Sequence, residues 1–313
     1  MAARIPELLA FFAIYVIWGS TYLAIRHAVE TIPPLMTAGV RHLIAGLIIY
    51  TWARRGKPAV TAAEWRASLV VAVLFFLIGH GTLHWAEQIV PSGIAALLVA
   101  TEPFWIALLM PPAQGSRFSW QIAAGLTAGL VGVALLIPRD MVAAGPAELW
   151  GSAAILIGTM SWALGIRYSA TAPVPRDPFL RAGTTLLCGA ALLLPASLLT
   201  GEMARVDLQA ISARSIASLA YLIIFGSVVA FSAYFWLLER RSATLVATHT
   251  YVNPVIAVLL GWLLAGELLT LRIAWATALI LTAVFVLKSD RLLGTALVRA
   301  TASPKVANVA DRA

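Results

Sequence analysis

Long apolar runs alternate along this chain with short polar breaks, and the runs are too long to be strands. They fall at 7–25, 35–53, 67–86, 92–110, 119–137, 149–167, 179–199, 214–237, 243–264 and 270–288. Each approaches the ~20 residues that an α-helix needs to cross a hydrocarbon core about 30 Å thick. The breaks collect charge and turn residues, as in Arg54-Arg55-Gly56-Lys57-Pro58 and Ala172-Pro173-Val174-Pro175-Arg176-Asp177-Pro178. The pattern predicts an all-α integral membrane protein of about ten transmembrane helices. The first run lacks a small-residue cleavage site and is read as a spanning helix, not a leader.

Composition strengthens that reading. The 313 residues are 61% hydrophobic and 12% charged, where soluble domains run near ~45–50% apolar and ~25% charged. A net charge of +8 raises nucleic acid as a partner. The basic residues, however, sit in breaks between apolar runs and form no stripe, so the expected surroundings are the lipid bilayer and no nucleic acid. With the N-terminus in the cytoplasm, Arg54, Arg55, Lys57, Arg66, Arg117, Arg167, Arg176, Arg181, Arg240 and Arg241 fall inside. Only Arg26, Arg139, Arg205, Arg214 and Arg272 then fall outside, as the positive-inside bias requires. Both termini are expected in the cytoplasm, with 289–313 a cytoplasmic tail. The single Cys188 lies in an apolar run; it cannot make an intrachain disulfide, and no metal-ligand set accompanies it.

The chain also matches itself. An offset of 151 positions aligns 80–137 with 231–288 without a gap, bringing Trp85 onto Trp236, Pro103 onto Pro254 and Gly115 onto Gly266. The shift moves each helix five places along, and because five is odd, matched helices cross the bilayer in opposite directions. The expected architecture is two inverted five-helix repeats, 1–138 and 146–288. Repeats of this kind hold a midplane site between halves that rock to expose it on either side.

Several motifs carry a family resemblance. They are Trp18-Gly19-Ser20-Thr21-Tyr22, Pro33-Pro34, Ala38-Gly39-Val40-Arg41, Pro91-Ser92-Gly93-Ile94, Glu102-Pro103, Ser161-Trp162-Ala163, Tyr251-Val252-Asn253-Pro254 and Gly266-Glu267. Together they resemble an EamA-type transporter of the drug/metabolite transporter superfamily, on its bacterial metabolite-exporter branch, across about residues 8–288. The resemblance implies ten helices in two repeats, cytoplasmic termini, a bacterial inner membrane location and export of small metabolites such as amino acids.

Polar groups inside a bilayer are costly and usually face a bundle interior or a cavity. The substrate-cavity candidates are Trp18, Tyr22, His80, His84, Glu102, Trp162, His249, Tyr251 and Asn253. Glu102 precedes Pro103, and its repeat mate Asn253 precedes Pro254; the two steps read as a pair of helix breaks around a midplane site. Glu102 either titrates for proton coupling or meets a substrate amine, or else pairs with Arg41 or a histidine and braces the bundle. Arg41 is read as a structural cation, with a substrate carboxylate as the other use. His80 and His84 share a face four residues apart, but no third ligand stands nearby in sequence, so no metal site is expected. The aromatic rings offer apolar walls and cation–π contact, against the alternative of ordinary packing. Gly125, Gly129 and Gly132 form a small face suited to tight packing in the fifth helix, including a dimer contact; a monomer or weak homodimer is expected.

The chain has no ATP-binding glycine loop, no zinc-protease or serine-hydrolase motif and no paired carboxylates, so no cofactor and no enzyme activity are expected. A membrane enzyme is the least favoured alternative. Secondary export of amino acids or related metabolites by alternating access is the leading reading, with efflux of organic cations and drugs second.

Overall fold

The computed structural model describes residues 5–109, 147–241, 249–266 and 268–283, with Val246, Phe285, Val286 and isolated positions between 124 and 135. The side chains of Pro103, Ala107 and Tyr251 lie outside this description. So do most of the fifth apolar run and all of 289–313.

Described secondary structure is helical throughout. The long helices are α1 (Ile5–Val29), α2 (Pro34–Ala53), α3 (Ala62–Ala86), α6 (Ala147–Ser169), α7 (Pro178–Leu199) and α8 (Ala213–Arg240). All six are long and apolar enough to cross a membrane. Between them lie the short α4 (Ser92–Val99) and α5 (Glu102–Leu109), and α9 (His249–Ala265) and α10 (Leu271–Ala283) follow.

Local chemistry sets the starts. Pro34 and Pro178 occupy the first helical positions of α2 and α7, where a missing N–H costs nothing. The Asp177 carboxylate accepts from the N–H groups of Phe179 and Leu180. At α3, Thr61 and Glu64 form a reciprocal capping box. That cap starts the helix five residues before the apolar run expected at 67, in a polar first turn that hydropathy alone does not register.

The two proline steps behave differently. The apolar run expected as one helix over 92–110 breaks at Ala100 and Thr101. Pro103 has no N–H to return to the Val99 carbonyl, and Thr101 turns both its backbone N–H and its hydroxyl onto the Leu98 carbonyl, at 3.1 and 2.6 Å. Pro254, read from sequence as the matching break, instead lies inside the continuous helix α9. It falls early in α9, where it removes one bond. The Asn253 amide beside it ties that turn to α1: Nδ2 donates to the Tyr15 carbonyl at 2.9 Å, and Oδ1 accepts from His249 Nδ1 at 3.2 Å.

Three helices widen into π-helical stretches, at Ala13–Ile17 in α1, Val73–His80 in α3 and Leu222–Val229 in α8. Such widening releases carbonyls from the regular ladder. In each stretch a side chain from another helix takes one. Asn253 takes Tyr15 O, the Ser161 hydroxyl takes Leu74 O at 2.9 Å, and Trp18 and Arg41 share Gly226 O.

Packing is dense around α2 and α7, which run against each other along their length. Helix α1 packs on α8 and α9, and α6 packs on α3, α4 and α5. Helix α2 meets α8, α7 meets α3, and α4 meets α9. Two apolar cores result. One holds Ile14, Trp18, Phe75, Phe76, Leu186, Phe231 and Phe235; the other holds Tyr22, Ile25, Leu83, Leu97, Ile155 and Leu222. Outward-facing Leu8, Leu9, Phe12, Ile157, Leu198 and Leu263 remain exposed, an apolar coat whose solvent is lipid.

The fifth run packs inward at Gly132. A Cβ on Gly132 would stand 2.8 Å from Ile280 and 3.2 Å from the Ala276 carbonyl, both on α10. The contact that the sequence left open to a second copy is filled at Gly132 from within the same chain. Gly129 lies outside the described residues.

Candidate functional site

Between the two cores lies a cavity of about 80 Å³. Seven of the nine candidates from sequence line it: Trp18, Tyr22, His80, Glu102, Trp162, His249 and Asn253. Arg41 and Pro254 line it as well. His84 does not. It is wholly buried, with Nδ1 donating to the His80 carbonyl at 2.7 Å. Tyr251 and Pro103 have no described side chain.

Arg41 is 2% exposed. Its Nε donates to the Ser227 hydroxyl at 2.7 Å and its Nη2 to the Gly226 carbonyl at 3.2 Å. Nη1 is buried without a partner among the described residues. The contact requires glycine at 226, since a Cβ there would stand 2.9 Å from Thr21 and 3.1 Å from Arg41 Nη2. Glu102 is 4% exposed and opens α5 directly after the helix break. Among the described residues Arg41 and Glu102 make no ion pair with each other, and Glu102 pairs with no histidine. The bracing reading of Glu102 therefore finds no bond in this conformation.

Rings form the rest of the wall. Trp18 packs edge-on against Phe231 at 5.2 Å and against His249 at 4.9 Å between centroids. Trp162 stacks flat on Phe75 at 4.0 Å and lies 5.3 Å from His80. It can come so close because α3 and α6 cross at glycine: a Cβ on Gly158 would meet the Thr82 hydroxyl and the Gly79 carbonyl at 2.4 and 3.1 Å. Trp150 and Trp275 are exposed.

Sequence reasoning missed two participants. His42 Nε2 and His80 Nδ1 lie 3.0 Å apart with stacked rings, a partnership between α2 and α3 that no spacing could disclose. Even so, among the described residues no three metal-ligating side chains converge. The second is Glu202, whose carboxylate accepts from Leu35 N, Met36 N and the Ser197 hydroxyl. The only sequence hint was an acid just past the end of α7.

Polar bonds tie segments together at both ends of the bundle. At one end, Thr31 bonds Ser215 and Ser212, and Ser215 reaches the His27 carbonyl. At the other, Lys57 pairs with Asp177 and Arg241 with Glu7. Partial burial works against the Asp177 carboxylate, but the Lys57 ammonium and the Leu180 and Phe179 N–H groups outweigh it, holding Asp177 below its ordinary range.

An apolar helical bundle around a charged and aromatic cavity defines a membrane protein of the transporter class. The model of the EamA-like transporter family matches residues 5–137 and 149–289, and the chain belongs to that family. It is 37% identical over 276 residues to the inner membrane transporter YedA of Escherichia coli, covering 87% of this chain and 86% of YedA. It is 30% identical over 261 residues to protein PecM of Dickeya dadantii, covering 80% and 82%. Transporter YoaV of Bacillus subtilis is 24% identical over 283 residues, covering 90% and 96%. A crystal structure at 22% identity superposes with a TM-score of 0.64 over 90% of this chain and 96% of that one, and shares the fold.

Proposed function

We propose that this protein is a secondary transporter that exports amino acids or closely related small metabolites across the bacterial inner membrane. It acts by alternating access of two inverted five-helix repeats, 1–138 and 146–288, ten helices in all, with both termini in the cytoplasm. The observation that carries this reading is the cavity itself. It holds a buried cation and a buried acid among aromatic rings, at the meeting of helices from both proposed repeats. About 80 Å³ is well below the ~300–1,000 Å³ of ordinary ligand sites, so the conformation reads as a constricted one that must part to admit substrate.

The neighbour pattern supports the repeats. Moving each helix five places exchanges the α1–α8 contact with α6–α3, and α2–α8 with α7–α3, while α2–α7 and α4–α9 map onto themselves. The side chains follow the same exchange: α1 reaches the π-helical stretch of α8 through Trp18, and α6 reaches that of α3 through Ser161. A machine that opens to either side needs two equivalent hinges, and this pairing supplies them.

The reading is tested in proteoliposomes holding the full chain. Counterflow of labelled amino acids is expected, and absence of flux across a broad panel, with and without a pH gradient, overturns it. A second reading, efflux of organic cations, rests on Glu102 lining the cavity among rings with no bonded partner among the described residues. It predicts flux of cations that carry no carboxylate, and Glu102→Gln abolishing that flux.

A further inference from the structure

We infer that the cavity recognises a zwitterion at two opposed points, a carboxylate at Arg41 Nη1 and an ammonium at Glu102. This deepens the amino-acid reading and rests on it. Arg41 carries one donor that the described residues leave unpaired. A guanidinium presents five N–H donors in a fixed fork, and the wall of α8 engages Nε and Nη2 but leaves Nη1 bare, on a side chain 2% exposed. A buried charge-bearing N–H without an acceptor is destabilising by itself. A carboxylate entering the cavity supplies that acceptor.

Glu102 completes the pair. It lines the same cavity, and the break in the fourth run places it at the first turn of α5. An acid and a base that share a cavity and leave each other unbonded form a dipole with a gap. Bridging that gap takes a ligand with both charges: one anion leaves Glu102 uncompensated, and one cation does the same to Arg41. An α-amino acid carries both on one carbon. Its side chain is then left facing Trp18, Trp162 and Tyr22, whose rings accept apolar and aromatic groups alike.

The histidines face the same region without matching either role. His80 lines the cavity but is committed to His42, and His249 is committed to Asn253. Neither leaves a fixed charge there when neutral, so Arg41 and Glu102 remain the two charge-bearing contacts.

The test deletes charges from the ligand before touching the protein. Binding to the full chain in nanodiscs is measured by calorimetry for L-alanine, propionate and ethylamine, and for L-phenylalanine, 3-phenylpropionate and 2-phenylethylamine. In at least one set, the amino acid is expected to bind about 10- to 100-fold more tightly than either single-charge analogue, the range for losing one hydrogen bond to a charged group. Glu102→Gln should weaken the amino acid and the amine by a similar factor and leave the acid unchanged. Arg41→Gln should do the reverse; should it fail to fold, the ligand series on the unaltered chain still decides.

If in both sets a single-charge analogue binds as tightly as its amino acid, the inference is overturned, as it is by Glu102→Gln weakening acid and amine equally. If amino acids cross proteoliposomes while binding ignores one charge, the inference falls and the transport reading stands. If nothing binds and nothing crosses, both fall.

Discussion

Trp18 and Arg41 donate to one oxygen. The indole Nε1 lies 3.1 Å and the guanidinium Nη2 3.2 Å from the Gly226 carbonyl, in the π-helical stretch of α8. That carbonyl is open to two donors because the widened turn does not use both its lone pairs. Three helices meet there, so the bonds fix α1 and α2 against α8 at the cavity wall.

Removing one donor should loosen the other. Trp18→Phe keeps an aromatic ring and deletes the N–H, and should cost about 0.5–1.5 kcal/mol. Ser227→Ala removes the Nε partner of Arg41 and should cost about 1.5–3 kcal/mol, since that bond carries charge. The pair shares the Arg41 orientation, so the double substitution should depart from additivity by about 0.5 kcal/mol or more. Thermal unfolding of the purified protein measures this, and simple additivity would show that the two bonds act independently.

Gly132 makes a separate prediction. Its open side is filled by Ile280 and Ala276 of α10. Gly132→Leu should therefore overpack an internal seam at a cost of about 1–3 kcal/mol. Thermal stability should fall while the mass by light scattering stays the same. A changed mass with unchanged stability would put the face between copies.

What the sequence disclosed divides along one physical line. Hydropathy counts apolar residues over a window, so it found every long helix described, from α1 to α8, within a few residues. Motif and polarity then picked out Trp18, Tyr22, His80, Glu102, Trp162, His249 and Asn253, which the fold gathers on one cavity. Polar residues in lipid have few other places to go, and that constraint made them legible. Three things were not legible. Proline has one local signature, yet Pro103 accompanies a break and Pro254 lies within a continuous helix. His84 stands one turn from His80, yet only His80 lines the cavity, and the shared face that the spacing predicts does not tell the two apart. The His42–His80 contact joins two helices and is a property of packing alone.

Asp177 gives a pH dependence whose sign is fixed by its bonds. Lys57 and two N–H groups hold its folded value below the ordinary one, near ~3.9 for an unfolded aspartate. Its contribution is thus complete above about pH 5 and is lost as pH falls through the folded value. The pair is largely exposed, so at neutral pH Asp177→Asn should cost no more than about 1 kcal/mol. The stability gap between the two proteins should narrow steadily from about pH 5 to pH 3. A gap that widens in acid would reverse the assignment.

Glu202 joins the end of α7 to the beginning of α2. Its carboxylate is 7% exposed and accepts from Leu35 N at 3.2 Å, Met36 N at 3.0 Å and the Ser197 hydroxyl at 2.9 Å. The first N–H groups of a helix have no partner within it, and here an acid just past the end of α7 supplies one while its charge favours the positive helix end. Because α2 and α7 are the most extensively packed pair, this bond sits where their relative motion would first be felt. Glu202→Gln keeps the shape but removes the charge, and should cost about 0.5–2 kcal/mol locally. Amide exchange at Leu35 and Met36 should then speed up by about 2- to 30-fold, that energy converted at about 1.4 kcal/mol per tenfold. Exchange in the Asp177-capped first turn of α7, at the opposite end, should not change. If both turns accelerate together, the carboxylate stabilises the whole bundle instead of this one junction.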